Sequence, residues 1–298
     1  MKILDQEQEI WLKDIKSIIQ DTEKLLISIN ASETDLNALK TSSSQIDDLF
    51  LLVVVGEFNS GKSALINALL GEKILEEGVT PTTTQVNLLR FGSSLERKTL
   101  DENLYIIQAP IEFLTDISIV DTPGTNAIIR QHETITKEFI PRSDFVLFVT
   151  SADRPFTDSE NNFLKIIKEW GKKIIVVVNK IDILESESDI ERIKDFISDN
   201  IVSMLEISPE IFPISTRLAI SGKNGNSEHW ELSRFESVEN YIAEQLDNKT
   251  KVKLKLLNPL GIIQNLINKH NVILNNRLDI LKDDIDLINN IQKQIEIY

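Results

Sequence analysis

Six apolar residues in a row, Phe50-Leu51-Leu52-Val53-Val54-Val55, stop at Gly56, and a helical pattern starts soon after with Ala64-Leu65-Ile66-Asn67-Ala68-Leu69-Leu70. An apolar run of that length, bounded by glycine, reads as a strand buried on both faces. Between strand and helix lies Gly56-Glu57-Phe58-Asn59-Ser60-Gly61-Lys62-Ser63. Strand, glycine-bounded loop and helix in immediate succession make backbone N–H groups converge beside a helix N-terminus, which suits a phosphate. There Lys62 neutralises β- and γ-phosphates and the Ser63 hydroxyl binds Mg²⁺, while Glu57, Phe58, Asn59, Ser60 and Ala64 complete the loop around a nucleotide. A side chain at Gly56 or Gly61 would hold the backbone off the phosphates.

Two further motifs sit at strand ends. Asp121-Thr122-Pro123-Gly124 closes the strand Ile117 to Val120. Asp121 is placed to hold Mg²⁺ through water, and the Gly124 N–H to face a γ-phosphate. Asn179-Lys180-Ile181-Asp182 closes the strand Ile174 to Val178, at the carboxyl edge where doubly wound sheets bind ligands. A carboxylate at Asp182 accepts from guanine N1–H and the exocyclic amine, donors that adenine lacks, so the motif selects GTP over ATP. Asn179 is expected to brace the phosphate loop and Lys180 to lie over the base. Ser215, after Pro213-Ile214, reads either as a last guanine contact through its backbone or as a surface turn. The segment Gly78-Val79-Thr80-Pro81-Thr82-Thr83-Thr84 supplies the hydroxyl that completes a Mg²⁺ shell, with Thr83 the first choice and Thr82 the second.

Around these motifs, apolar runs at 85–91, 104–108, 145–150 and 211–214 read as strands, alternating with helical patterns at 63–70, 133–139, 160–169 and 190–206. This alternation predicts an α/β domain with a mostly parallel, doubly wound sheet, over residues 46–235. Residues 1–45 read as an amphipathic helix over Ile10 to Ile29, a short helix over Thr34 to Leu39, and a polar loop from Thr41 to Gln45. Trp11 is expected in the core. Residues 236–298 read as two helices broken at Asn258-Pro259-Leu260-Gly261, because proline and glycine favour a bend. The apolar stripes of the N- and C-terminal helices each need a partner, and each is expected to be the other's. The apolar pattern still runs at Tyr298 without a cap, so further chain is expected beyond it.

Composition narrows the partners. With no cysteine among 298 residues, neither a disulfide framework nor a thiolate metal site can form, which suits a reducing, cytoplasmic setting. A net charge of −15 argues against nucleic acid as a main partner. No secretory leader or membrane-spanning run is present in the sequence. His132, His229 and His270 are scattered, without metal-ligand spacing.

The loop Gly56 to Ser63, its continuation Ala64 to Gly71, Pro81-Thr82-Thr83 and Asp121 to Asn126 resemble bacterial dynamin-like proteins, in the branch related to the chloroplast FZO-like protein and the mitofusins. The resemblance covers roughly residues 46 to 220. It implies a P-loop GTPase domain with an all-α neck built from the flanking helices. It also implies self-association through the GTPase face and peripheral membrane remodelling through a distal helical trunk that follows this chain. In mitofusins the threonine at the spacing of Thr83 from Lys62 serves magnesium and water.

Thr125 follows Gly124 where many small GTPases carry the glutamine that orients water. Asn59 occupies the place of the asparagine that ligates K⁺ in potassium-activated GTPases; it either does so here or only shapes the loop. Arg130 and Arg142 are candidates for a cation brought in by dimerisation. Three functions follow: a dynamin-like GTPase whose neck bends at Pro259 and Gly261, a translation or tRNA-type GTPase, and a GTP-gated scaffold that hydrolyses negligibly.

Overall fold

The computed structural model describes residues 6–44, 48–77, 85–101, 104–124, 135, 139–206, 208–246 and 248–297. The strands are β1 (Phe50–Gly56), β2 (Val86–Phe91), β3 (Glu96–Asp101), β4 (Leu104–Ala109), β5 (Ile117–Asp121), β6 (Phe145–Ser151), β7 (Ile174–Asn179) and β8 (Ile211–Pro213). They form one sheet in the order β3-β4-β2-β5-β1-β6-β7-β8. All neighbours pair in parallel except β2 with β5 and β3 with β4. The apolar run of β1 serves two cores by alternation: Phe50, Leu52 and Val54 join the cluster on one face, and Val53 and Val55 the cluster on the other. That is why the run is continuous, and why helices cover both faces.

The helices are α1 (Gln6–Ser28), α2 (Glu33–Ser44), α3 (Lys62–Leu70), α4 (Asp158–Glu169), α5 (Glu187–Leu205), α6 (Thr216–Lys223), α7 (Ser227–Ser233), α8 (Phe235–Gln245) and α9 (Asn248–Ile297). A third cluster joins Ile15, Ile19 and Leu26 of α1, Leu39 of α2, and Leu256, Ile262, Ile263 and Leu266 of α9. The terminal helices thus bury one another's stripes. Trp11 lies off this seam and is 42% exposed, so it is not a core residue.

Several expectations are corrected. Thr41 to Ser44 is helical, because α2 packs along α9 and buries Ser42. β3 was not anticipated: its sequence Glu-Arg-Lys-Thr-Leu-Asp is exposed throughout, as suits a charged edge strand without an apolar signal. α6 and α7 were also missed. The helix Glu133 to Phe139 lies almost wholly outside the described residues; Ile135 and Phe139 are buried.

The largest correction concerns Pro259. α9 runs through it without a break, and the interruption falls earlier, between α8 and α9. Tertiary contacts override the local preference. The Asn258 side chain donates to the Ser143 carbonyl (2.8 Å) and accepts from Lys172 Nζ. Three residues on, Gly261 lies against the Gly171 backbone, where an added Cβ would come within 3.2 Å of the Gly171 carbonyl oxygen. Beyond that joint α9 leaves the body: every residue from 275 to 295 is exposed, including Leu278, Leu281, Ile285 and Ile288.

Candidate functional site

β1 lies between β5 and β6, so the loop leaving it emerges at the middle of the sheet's carboxyl edge. The close approaches there explain its glycines. A Cβ on Gly56 (φ 152°) would sit 2.0 Å from the Val149 carbonyl oxygen, and one on Gly61 (φ 92°) 2.2 Å from Asn179 Nδ2. Asn59, at φ 63°, takes the left-handed conformation that asparagine tolerates, and its side chain is exposed.

Lys62 opens α3 and is buried. Its Nζ donates to the carbonyls of Gly56 (3.1 Å) and Glu57 (2.8 Å), so the ammonium is held inside the curve of the loop. Burial lowers its pKa to about 8, opposed by the negative charges of Asp121, Glu160 and Glu57. Ser63 Oγ donates to Asp121 Oδ2 at 3.1 Å, and among the described residues no group makes a well-formed hydrogen bond to the buried Asp121 Oδ1, with the Asn87 side chain lying beside the carboxyl. Burial raises the Asp121 carboxyl to about 6 against the pull of Lys62. A hydroxyl and a desolvated carboxylate with a free oxygen form a hard, oxygen-only donor pair, which fits Mg²⁺. Thr122 Oγ1 donates to the Val54 carbonyl (2.8 Å), tying the turn after Asp121 to β1. Gly124 approaches the loop so closely that a Cβ would lie 2.4 Å from the Phe58 amide nitrogen.

Asn179, at the end of β7, joins two halves of the site. Its Nδ2 donates to the Ser60 carbonyl (2.9 Å), while its Oδ1 accepts from the Lys180 amide (2.8 Å), the Thr216 amide (3.0 Å) and Thr216 Oγ1 (2.9 Å). Replacing Asn179 by alanine strands these groups in a buried setting and is expected to destabilise the fold by about 2–3 kcal/mol, read as a lowered denaturation midpoint. A loss under about 0.5 kcal/mol would mean that water replaces the bridge.

Lys180 takes φ 66° and places Nζ 3.4 Å from Asp153 Oδ1. Asp182 follows in a short 3₁₀ turn. Ser215 is fully buried and caps α6, so it is not a surface turn. Its amide donates to the Ser233 carbonyl (2.9 Å), whereas its hydroxyl donates to Asp182 Oδ1. The side chain of Ser215 therefore reaches the Asp182 carboxylate.

Thr82, Thr83, Thr84, Thr125, Arg130 and His132 lie outside the described residues. Arg142 lines a cavity with Leu51, Asp144 and Lys255 at the foot of α9, away from the phosphate loop. Glu160 was missed. It is buried, its Oε2 accepts from the Thr157 amide (2.9 Å), and it lies beside Glu57 of the phosphate loop. Burial raises its pKa. The spacing Thr157-Asp158-Ser159-Glu160 is a capping box and was available in the sequence.

Comparison with known proteins bears on these residues. Residues 51–180 match the family described as 50S ribosome-binding GTPase. The probable transmembrane GTPase FZO-like, chloroplastic, of Arabidopsis thaliana is 34% identical over 89% of this chain and 32% of its own length. The tRNA modification GTPase MnmE of a Thermoanaerobacter species is 30% identical over 68% of this chain and 37% of its own. An oligomerised bacterial dynamin pair, solved as a mechanism for long-range sensing and tethering of membranes, shares the fold at 21% identity. Its TM-score is 0.60, over 99% of this chain and 52% of that one. The chain thus spans about a third of these two curated relatives and about half of that structure. The match to the FZO-like protein, at 89% of the chain, is wide enough to take in flanking helices, while the MnmE match, at 68%, is narrower.

Proposed function

The chain belongs to the dynamin-like P-loop GTPases, and on that premise we propose that it binds GTP along the carboxyl edge of β1 and β7 and hydrolyses it to GDP and phosphate. The observation that carries this reading is Asn179, whose one side chain ties the phosphate loop at Ser60 to the base-reading segment at Thr216. Base and phosphates are then gripped by one rigid unit. Asp182 selects guanine; Lys62 and the loop amides hold the β- and γ-phosphates. Water attacks the γ-phosphorus, the bond to the bridging oxygen breaks, and GDP leaves with the negative charge that Lys62 neutralises. Mg²⁺, held by Ser63, Asp121 and the Thr83 hydroxyl, would offset further charge on the phosphate oxygens when bound.

Self-association through the GTPase face would supply what Thr125 does not, and coupling to membranes would run through chain outside this segment. Among the described residues no helix is long and apolar enough to cross a membrane. The similarity to a tRNA modification GTPase favours a second reading, in translation or tRNA biology, which the net charge of −15 opposes because an RNA face is usually basic.

The test is GTP turnover against protein concentration, in KCl and in NaCl. Specific activity is expected to climb with concentration. A KCl advantage assigns Asn59 as a cation ligand; equal rates in both salts leave it a loop-shaping residue. Activity that stays flat with concentration would remove dimer stimulation, and turnover no faster than buffer alone would leave a GTP-gated scaffold.

A further inference from the structure

β2 runs antiparallel to β5, and the residue aligned with Asp121 is Asn87. Residues directly opposite in an antiparallel pair send their side chains out of the same face, so the Asn87 amide stands beside the Asp121 carboxyl. That face is otherwise apolar along the two strands: Leu89 on β2 and Ile119 on β5 belong to one core cluster. Asn87 is 6% exposed. A leucine or valine would fill such a position without the cost of burying an amide, so the polar group calls for a reason.

The carboxylate supplies half of one. An ionised carboxyl only accepts, so the amide offers Nδ2 to it, and this contact pulls the Asp121 pKa down against the larger, opposite effect of burial. Offering Nδ2 turns Oδ1 away, and among the described residues that buried oxygen has no hydrogen-bond partner. Asn87 and Asp121 line the same cavity of about 250 Å³, together with Glu76. Ser63 Oγ holds Asp121 as well, at 3.1 Å from Oδ2. We propose that Asn87 is a positioning residue for Mg²⁺: its amide nitrogen sets the orientation of the Asp121 carboxylate, and its oxygen offers an acceptor to the water that the ion keeps when bound. This rests on the reading of Asp121 as a Mg²⁺ ligand and deepens it. Nothing in its own segment marks Asn87; the pairing of β2 with β5 brings it there.

The test is binding of a fluorescent GDP analogue to the full chain, in EDTA and across a Mg²⁺ titration, for wild type, Asn87→Leu, Asn87→Ser and Asp121→Ala. Metal and nucleotide affinities are linked, so the Mg²⁺ concentration that gives half of the gain in nucleotide affinity reports the metal site. N87L is expected to raise that concentration about ten- to a hundredfold, the usual cost of removing a metal ligand's hydrogen-bonding partner, with nucleotide affinity in EDTA and the denaturation midpoint close to wild type. N87S keeps a hydroxyl and leaves room for a water, so its shift has the same direction and is smaller. An unchanged Mg²⁺ dependence in N87L overturns the proposal, and so does an equal loss of affinity with and without Mg²⁺, which is what a purely structural amide gives. If N87L does not fold, N87S decides by the same two comparisons. Should D121A leave the Mg²⁺ dependence intact, the reading of Asp121 fails and takes the role of Asn87 with it; an altered D121A beside an unaltered N87L strikes Asn87 alone.

Discussion

Lys62→Ala is expected to lower GTP turnover at saturating GTP by about 10²- to 10³-fold, the range for losing one preorganised donor to developing charge. Lys62 is buried and kept cationic near neutrality, with a pKa of about 8. Its ammonium donates to the Gly56 and Glu57 carbonyls. On the proposed reading the same group would neutralise the phosphate oxygens, in surroundings where charge is weakly screened. Turnover at saturation and the denaturation midpoint should be measured together. A variant that folds as well as wild type yet turns over within tenfold of it would show that the charge is met elsewhere.

Asp144→Ala is expected to cost about 3–5 kcal/mol of stability, because it leaves buried cations without their counter-charge. Asp144, at the entry to β6, is 3% exposed and accepts from the Leu51 amide (2.8 Å). Lys255 Nζ lies 3.5 Å from it, and Lys172 reaches the same pocket, bonded to the Pro141 carbonyl (2.6 Å) and to Asn258. Burial raises the Asp144 carboxyl and lowers the Lys172 ammonium from 10.5 to about 7, Asp144 opposing the second shift.

The sign of the pH effect follows from Lys172. Below pH 7 it is protonated whether the chain is folded or unfolded. Between about 7 and 10.5 the unfolded chain holds one more proton, so stability rises with pH across that window. Removing Asp144 lowers the folded pKa further, so in the variant the rise begins at lower pH. The gap between the proteins is therefore expected to be wider at pH 6 than at pH 8. Denaturant titrations at both values decide it; a cost below about 1 kcal/mol at pH 6 would mean that the pocket admits water.

What could be read from the sequence was local. The β1 run, its glycines and the residues at the ends of β5 and β7 announce themselves, because each motif needs only its own strand and turn. What could not be read depends on distant partners. Proline disrupts helices, so Pro259 reads as a bend, but Asn258 is fixed by Ser143 and Lys172, residues far away in the chain. A surface turn at Ser215 is a fair reading of the sequence because nothing nearby shows that Ser233, brought round by α7, accepts from its amide and helps to bury it. β3 carries no apolar signal, since an exposed edge strand has no core to face. Glu160 is a different case: its capping box was legible, but its proximity to the phosphate loop was not.

The unbroken course of α9 through Pro259 has a mechanical consequence. With Asn258 fastened beside β6, the helix from there to Ile297 forms a lever about 60 Å long at 1.5 Å per residue. A rotation of about 10° at the joint would carry the far end about 10 Å, roughly one helix diameter. Movements at the entry to β6 too small to disturb the core would thus emerge as displacements on the scale of whole secondary-structure elements.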